Sequence, residues 1–166
     1  FDVGLDPTSL ASPGTDLLVT NSNDDTVSVI DPAAASNRVA RTFSVNPLPG
    51  QPFGSSPNSL AFLDGAHLVV SLGRDNALAI YGWAGSHGPV TFQGLVPTGW
   101  YPGRVLMNTH VHRLVVANQA GSGSLDHSIT VSEGSGTRPA TGKHVYADRG
   151  SIRPIASPTT ADMKTF

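Results

Sequence analysis

The stretch GWYPGRV, residues 99–105, sets two aromatic rings, a proline and an arginine within seven positions. An arginine fork takes a carboxylate or phosphate through two parallel hydrogen bonds, and aromatic faces offer stacking surfaces to a ligand. Arg104, Trp100 and Tyr101 are therefore candidate ligand-binding residues. His110 and His112 alternate, which in a strand would put two imidazoles on one face as a metal requires. No third ligand with suitable spacing accompanies them. Asp24, Asp25, Asp31 and Asp75 could supply carboxylates to a calcium loop, yet NSNDDT lacks the alternating oxygen ligands and closing Glu of one, and Asx-turn chemistry accounts for them. In GSGSLDHS (121–128) a Ser, an Asp and a His are neighbours in sequence, whereas the members of a catalytic triad converge in space, and no nucleophile elbow is present. GSGTRPATGK (134–143) has no strand–loop–helix frame around it to make a phosphate loop. No catalytic residue, metal or cofactor is implied by these groups.

What positions them is a repeat. Three segments share the pattern G-x-x-P-x-x-[L/V]: Gly4 to Leu10, Gly54 to Leu60 and Gly99 to Val105. Each continues through a turn into a short apolar run, LLVTN (17–21), LVVSL (68–72) and LVVAN (114–118). Pro-Gly and Asp-Gly make the first two turns, because proline pre-sets φ and glycine accepts positive φ. The third turn, NTHVHR, holds His110 and His112, so a solvated turn is the expectation for both. NSNDDTVSVID (21–31) then aligns without a gap to LGRDNALAIYG (72–82), a polar turn followed by alternating large and small side chains. RVARTFSV (38–45) and VTFQGLVP (90–97) close the first two units. Four short antiparallel strands in about 45–50 residues is the signature of a β-propeller blade.

The expected fold is therefore all-β, a partial β-propeller of about three four-stranded antiparallel blades over 1–156. The blades run from about 1–47, 54–97 and 99–156, and 157–166 is a linker-like tail. The third unit carries a Gly/Ser/Thr-rich stretch, 119–149, read as an insertion in its hairpin. SIRPI would be the returning strand, with HSITVSE (127–133) as a competitor. Pro154 is unexpected in such a strand because it cannot donate to a ladder. A propeller needs about four to eight blades to close. The remaining blades are expected either in cis, this chain being a piece of a longer one, or in trans in a homo-oligomer.

LLVTNSNDDTVSVID resembles the YVTN repeat of bacterial and archaeal secreted and surface propellers. LVPTGWYPGRVLMNTHVHRLVVAN resembles a branch of that family in which the propeller is often followed by an alkaline-phosphatase-like phosphoesterase domain. The resemblance implies an extracellular or periplasmic protein, and a non-catalytic scaffold or recognition segment. The alternative it implies is an accessory part of a metal-dependent phosphoesterase whose catalytic domain lies outside this chain. In that branch GWYP recurs within the repeat itself, which gives Trp100 and Tyr101 a role in packing between blades.

Composition sets the outer bounds. Of 166 residues, 13% are charged, about half the usual soluble-protein share, and 18 Gly with 13 Pro suit strands and tight turns rather than long helices. A net charge of −2, with Lys143 and Lys164 the sole lysines, gives no reason to expect nucleic acid. No apolar run approaches the roughly 18–20 residues of a membrane span. The absence of cysteine removes disulfides and thiolate metal sites. In a propeller the strand after G-x-x-P lines the central channel. The equivalent positions there are Ser9, Ser59 and Arg104, which completes the candidate set for a small ligand or a protein partner. Arg104 could hold an anion, pair with an Asp of a further blade, or sit at the rim.

Overall fold

The computed structural model describes residues 1–33, 39–50, 52–121, 130–133, 136–139 and 150–158. Every regular element among them is a strand. The first sheet has the order β1 (Pro7–Ala11), β2 (Leu17–Asn21), β3 (Thr26–Ile30), β4 (Val39–Ser44), each antiparallel to the next. The second repeats it with β5 (Pro57–Asp64), β6 (His67–Leu72), β7 (Ala77–Trp83) and β8 (Val90–Pro97). In the third, β9 (Pro102–Asn108) pairs with β10 (Arg113–Asn118), and β10 with β13 (Ser151–Ala156). Between them in sequence, β11 (Thr130–Glu133) and β12 (Gly136–Pro139) form a two-stranded sheet of their own. SIRPI therefore returns to β10, and the strand within HSITVSE does not. Pro154 lies opposite Val115 on an outer strand of the described sheet, where a missing N–H is tolerated. Most of 119–149 and of the 157–166 tail lies outside the described residues.

The strands after each G-x-x-P stand side by side, with β5 between β1 and β9, so the three sheets are radial blades around a common inner edge. The apolar runs explain the packing. Blade two is covered on both faces, so β6 and β7 bury apolar side chains at successive positions rather than at alternate ones, with Ser71 a buried polar exception. Leu68, Val70, Leu72, Ala79 and Trp83 face blade one and meet Leu18, Val27 and Val29. Val69, Leu78 and Ile80 face the other way and meet Val105, Leu114 and Val116. Burying each such side chain contributes roughly 1.5–3 kcal/mol. The first seam adds an aromatic cluster in which Trp83 lies 5.9 Å edge-on to Phe62 and 6.4 Å from Phe43. The Arg41 guanidinium sits 5.3 Å from the Phe43 ring and 5.7 Å from that of Trp83.

The repeat is also written in backbone hydrogen bonds. Ser22, Gly73 and Gln119, at equivalent positions after the second strands, donate their N–H to the carbonyls of Asp6, Ser56 and Tyr101. Those acceptors are the residues before the repeat prolines, and all three lie in the left-handed region, with φ of 55°, 55° and 52°. None is glycine, so each carries strain that the surrounding contacts must offset.

Candidate functional site

The polar side chains of the repeat go first to the seams. Asp25, at the tip of the β2–β3 hairpin, accepts the N–H groups of Ser55 and Ser56 in the next blade through one carboxylate oxygen, both at 2.9 Å. Its other oxygen accepts from the Asn46 amide at 3.2 Å. Asn76 occupies the same place in blade two and accepts the N–H of Tyr101 at 2.8 Å. Both turn residues have positive φ, 52° and 55°, which Asp and Asn tolerate better than most side chains. Gly54 is fixed by this clamp: its φ is +66°, and a Cβ there would lie 2.2 Å from an Asp25 carboxylate oxygen.

A second relay runs along the inner strands. The Thr8 hydroxyl donates to the Pro57 carbonyl at 3.1 Å, and the equivalent Asn58 amide donates to the Pro102 carbonyl at 3.3 Å. The third position of this series is Gly103, which has no side chain to pass on. Ser59 belongs to the same seam. It is buried, and its hydroxyl accepts the Val105 N–H at 3.2 Å and lies 3.4 Å from the Val105 carbonyl.

The other candidate residues separate into two concavities. Ser9 and Arg104 line one cavity of about 540 Å³ with Val3, Thr8, Leu10 and Val19, at the inner edge of the arc. Arg104 is exposed and Ser9 half-buried. Trp100 and Tyr101 line another, of about 470 Å³, at the seam between blades two and three. Its remaining wall is Phe53, Gly54, Gly73, Arg74, Asp75, Asn76 and Ala120. Both volumes lie within the roughly 300–1,000 Å³ of small-molecule sites. Trp100 is 51% exposed, while its N–H donates to the Gly121 carbonyl at 2.8 Å. Tyr101 is more committed to the scaffold. Its hydroxyl lies 3.3 Å from that of Ser56, which lies 2.9 Å from that of Ser22, so one polar chain joins all three blades. Its ring also passes within 3.0 Å of where a Cβ on Gly73 would be.

Phe53, Arg74, Asp75 and Asn76 join this wall from outside the set expected from sequence. Phe53 had a signal, a lone aromatic in the Pro/Gly connector NPLPGQPFGSS, where it remains 76% exposed. Asp75 read only as a turn former and Arg74 had no signal, since only the docking of one blade on the next brings their turn beside Trp100. One Asp75 oxygen is buried without a hydrogen-bond partner among the described residues. Partial burial pushes its carboxyl above the usual range, with the Asp25 charge adding to the shift and a hydrogen bond from Ser55 opposing it. A raised folded-state pKa means that the folded chain binds the extra proton, so Asp75 costs stability as pH rises above its unfolded value near 3.8. Asp75→Asn should therefore raise the melting temperature at pH 7, with the gain vanishing as pH falls below the unfolded value near 3.8. Thermal unfolding followed by circular dichroism on either side of that value checks this.

His110 and His112 are exposed in the β9–β10 turn, where the Asn108 side chain accepts the His110 N–H at 3.1 Å. Asp31 makes the same kind of local turn with the Ala33 N–H at 2.9 Å. Among the described residues no three His, Asp or Glu side chains come together in a metal-binding cluster. Residues 122–128 of GSGSLDHS lie outside the described residues, as do the ends of GSGTRPATGK.

No family profile matches the sequence, and no curated protein is significantly similar to it. Solved structures do resemble the fold. A putative 6-phosphogluconolactonase from Bacteroides fragilis aligns with TM-score 0.58 and 24% identity over 72% of this chain and 34% of its own. One from Bacteroides uniformis gives 0.57 and 19% over 72% and 35%. Hydrazine synthase of Kuenenia stuttgartiensis gives 0.53 and 19% over 72% and 32%. The chain thus spans about a third of the length of the structures it resembles. At these identities the likeness concerns the fold alone. The chain is an all-β arc of radial antiparallel blades with a β-propeller-like fold.

Proposed function

We propose that this chain is a non-catalytic recognition segment of a secreted or periplasmic propeller of the YVTN-repeat kind, completed by further blades in cis or in trans. The observation that carries the reading is the division of labour among its polar side chains. The repeat-equivalent groups Thr8, Asn58, Asp25 and Asn76, with Ser59, spend their hydrogen bonds between blades. The groups left facing open space, Arg104 and Trp100, border concavities rather than a nucleophile and its base. A rigid frame whose irregular loops present the contacts is the usual arrangement of a binding module. The alternative, an accessory role beside a metal-dependent phosphoesterase domain, draws its support from the repeat resemblance alone.

The purified chain, incubated with 4-nitrophenyl phosphate and either magnesium or zinc, should release nitrophenol no faster than buffer does. Turnover that co-purifies with the chain and disappears with a chelator would overturn the recognition reading.

A further inference from the structure

We propose that the cavity between blades two and three, walled by Phe53, Trp100 and Tyr101 and edged by Arg74, Asp75 and Asn76, binds a neutral carbohydrate. This rests on the recognition reading above and names the ligand class for one of its two concavities.

The wall is aromatic where a ligand must be held and polar where it must be oriented. Trp100 and Phe53 are 51% and 76% exposed, a large apolar area to leave in water beside a concavity. Aromatic faces of this kind bind the C–H face of a pyranose ring, and amphipathic side chains are favoured at such mixed surfaces. The edge supplies a guanidinium, a carboxylate and an amide, which between them donate to and accept from hydroxyl groups. Each hydroxyl of a sugar does both, so a polyol matches this mixture better than a ligand of one polarity.

Charge narrows the class further. The edge carries one cation, Arg74, and one carboxylate, Asp75, and the Asp25 carboxylate lies close enough to raise the Asp75 pKa. A phosphate or polyanion would meet that negative charge, and a cation would meet Arg74. A purely apolar ligand would strip water from the ionic edge without replacing its hydrogen bonds.

The wall is also held in place. Arg74 donates to the Phe53 carbonyl, Tyr101 is tied to Ser56 and Asn76, and the Trp100 backbone is tied to Gly121. These bonds fix the backbone that carries the aromatic wall, which lowers the ordering cost of binding.

The test begins with the labelled chain on an array of neutral and acidic oligosaccharides. Neutral sugars should bind above background and uronic or sulfated ones less well. The best neutral sugar is then titrated against intrinsic fluorescence. Trp83 is buried in the other seam, so a saturable change reports Trp100. Trp100→Ala should weaken binding by more than about 10-fold and Arg74→Ala by about 5-fold, while Trp100→Phe restores part of the affinity. Circular dichroism checks that each variant is folded. No neutral sugar bound, a preference for acidic sugars, or unchanged affinity in folded Trp100→Ala would overturn the proposal. With the aryl phosphate also left intact, such a result removes the ligand class and leaves the recognition reading standing. Turnover of the phosphate ester would instead remove the reading itself.

Discussion

Asp25→Ala should lower the stability of the chain by about 3 kcal/mol, more than any other single polar substitution in the repeat. Three donors lose their acceptor at once: the Ser55 and Ser56 N–H groups and the Asn46 amide. Ser55 and Ser56 are only 1% and 3% exposed, so water cannot readily replace the carboxylate. A hydrogen bond to a charged acceptor contributes about 1.5–3 kcal/mol, and each buried donor left unpaired costs about 1–3 kcal/mol, with partial relaxation reducing the sum. Asp25→Asn is the control, because Asn76 does the equivalent work with an amide oxygen in the next blade. It should recover most of the loss. Asn76→Ala, which frees one donor rather than three, should cost about 1 kcal/mol. Urea unfolding of the four proteins gives the comparison directly, and equal losses for Asp25→Ala and Asp25→Asn would show that the clamp needs charge rather than an acceptor.

Leu68→Ala should cost as much through a different route. Leu68 is fully buried on β6 and belongs to the cluster that closes the first seam with Leu18, Val27 and Val29. Truncation removes the transfer energy of the lost carbons and leaves a cavity that two rigid sheets cannot collapse around, so about 3 kcal/mol is expected. Leu106, on β9, is 48% exposed and gives the contrast. Leu106→Ala should stay below about 1 kcal/mol, although both residues are leucines on strands. Stability in repeat architectures is close to a sum of unit and neighbour terms. Leu68→Ala should therefore loosen blade one from blade two, and Trp83 fluorescence should report the change before Trp100 fluorescence does. Coincident transitions at both probes would mean that the arc unfolds as a single unit.

The strands were legible because their signals are local. LLVTN and VTFQGLVP match β2 and β8 end to end, and LVVSL and LVVAN each fall one residue short of β6 and β10. LVVSL, though Ser71 interrupts it, is the run of a strand covered on both faces. What the chain could not disclose is what equivalent residues do once blades dock. Ser9 and Ser59 hold the same repeat position, yet Ser59 is sealed against Val105 while Ser9 borders a cavity with Arg104. The difference lies in the neighbour each blade has, which no local pattern encodes. Asp25 reads as an ordinary turn former for the same reason. Its turn role is local, whereas its partners Ser55 and Ser56 are 30 and 31 positions away. Trp100 and Tyr101 divide along this line too, one bordering open space and the other tied into the seam.

The pairing of β13 with β10 has a kinetic consequence. In blades one and two every strand pairs with its immediate successor in the chain, so each sheet can form by closing short loops; Asn21 and Thr26, for example, meet across five positions. Asn118 and Ser151 meet across 33. In the unfolded chain the longer closure costs about 1.7 kcal/mol more in entropy, and that cost must be met before any contact of β13 repays it. Assembly should therefore run from the N-terminal end, with blades one and two forming early and the outer strand of blade three arriving last. Substitutions in β13 would then speed unfolding while leaving the folding rate almost untouched.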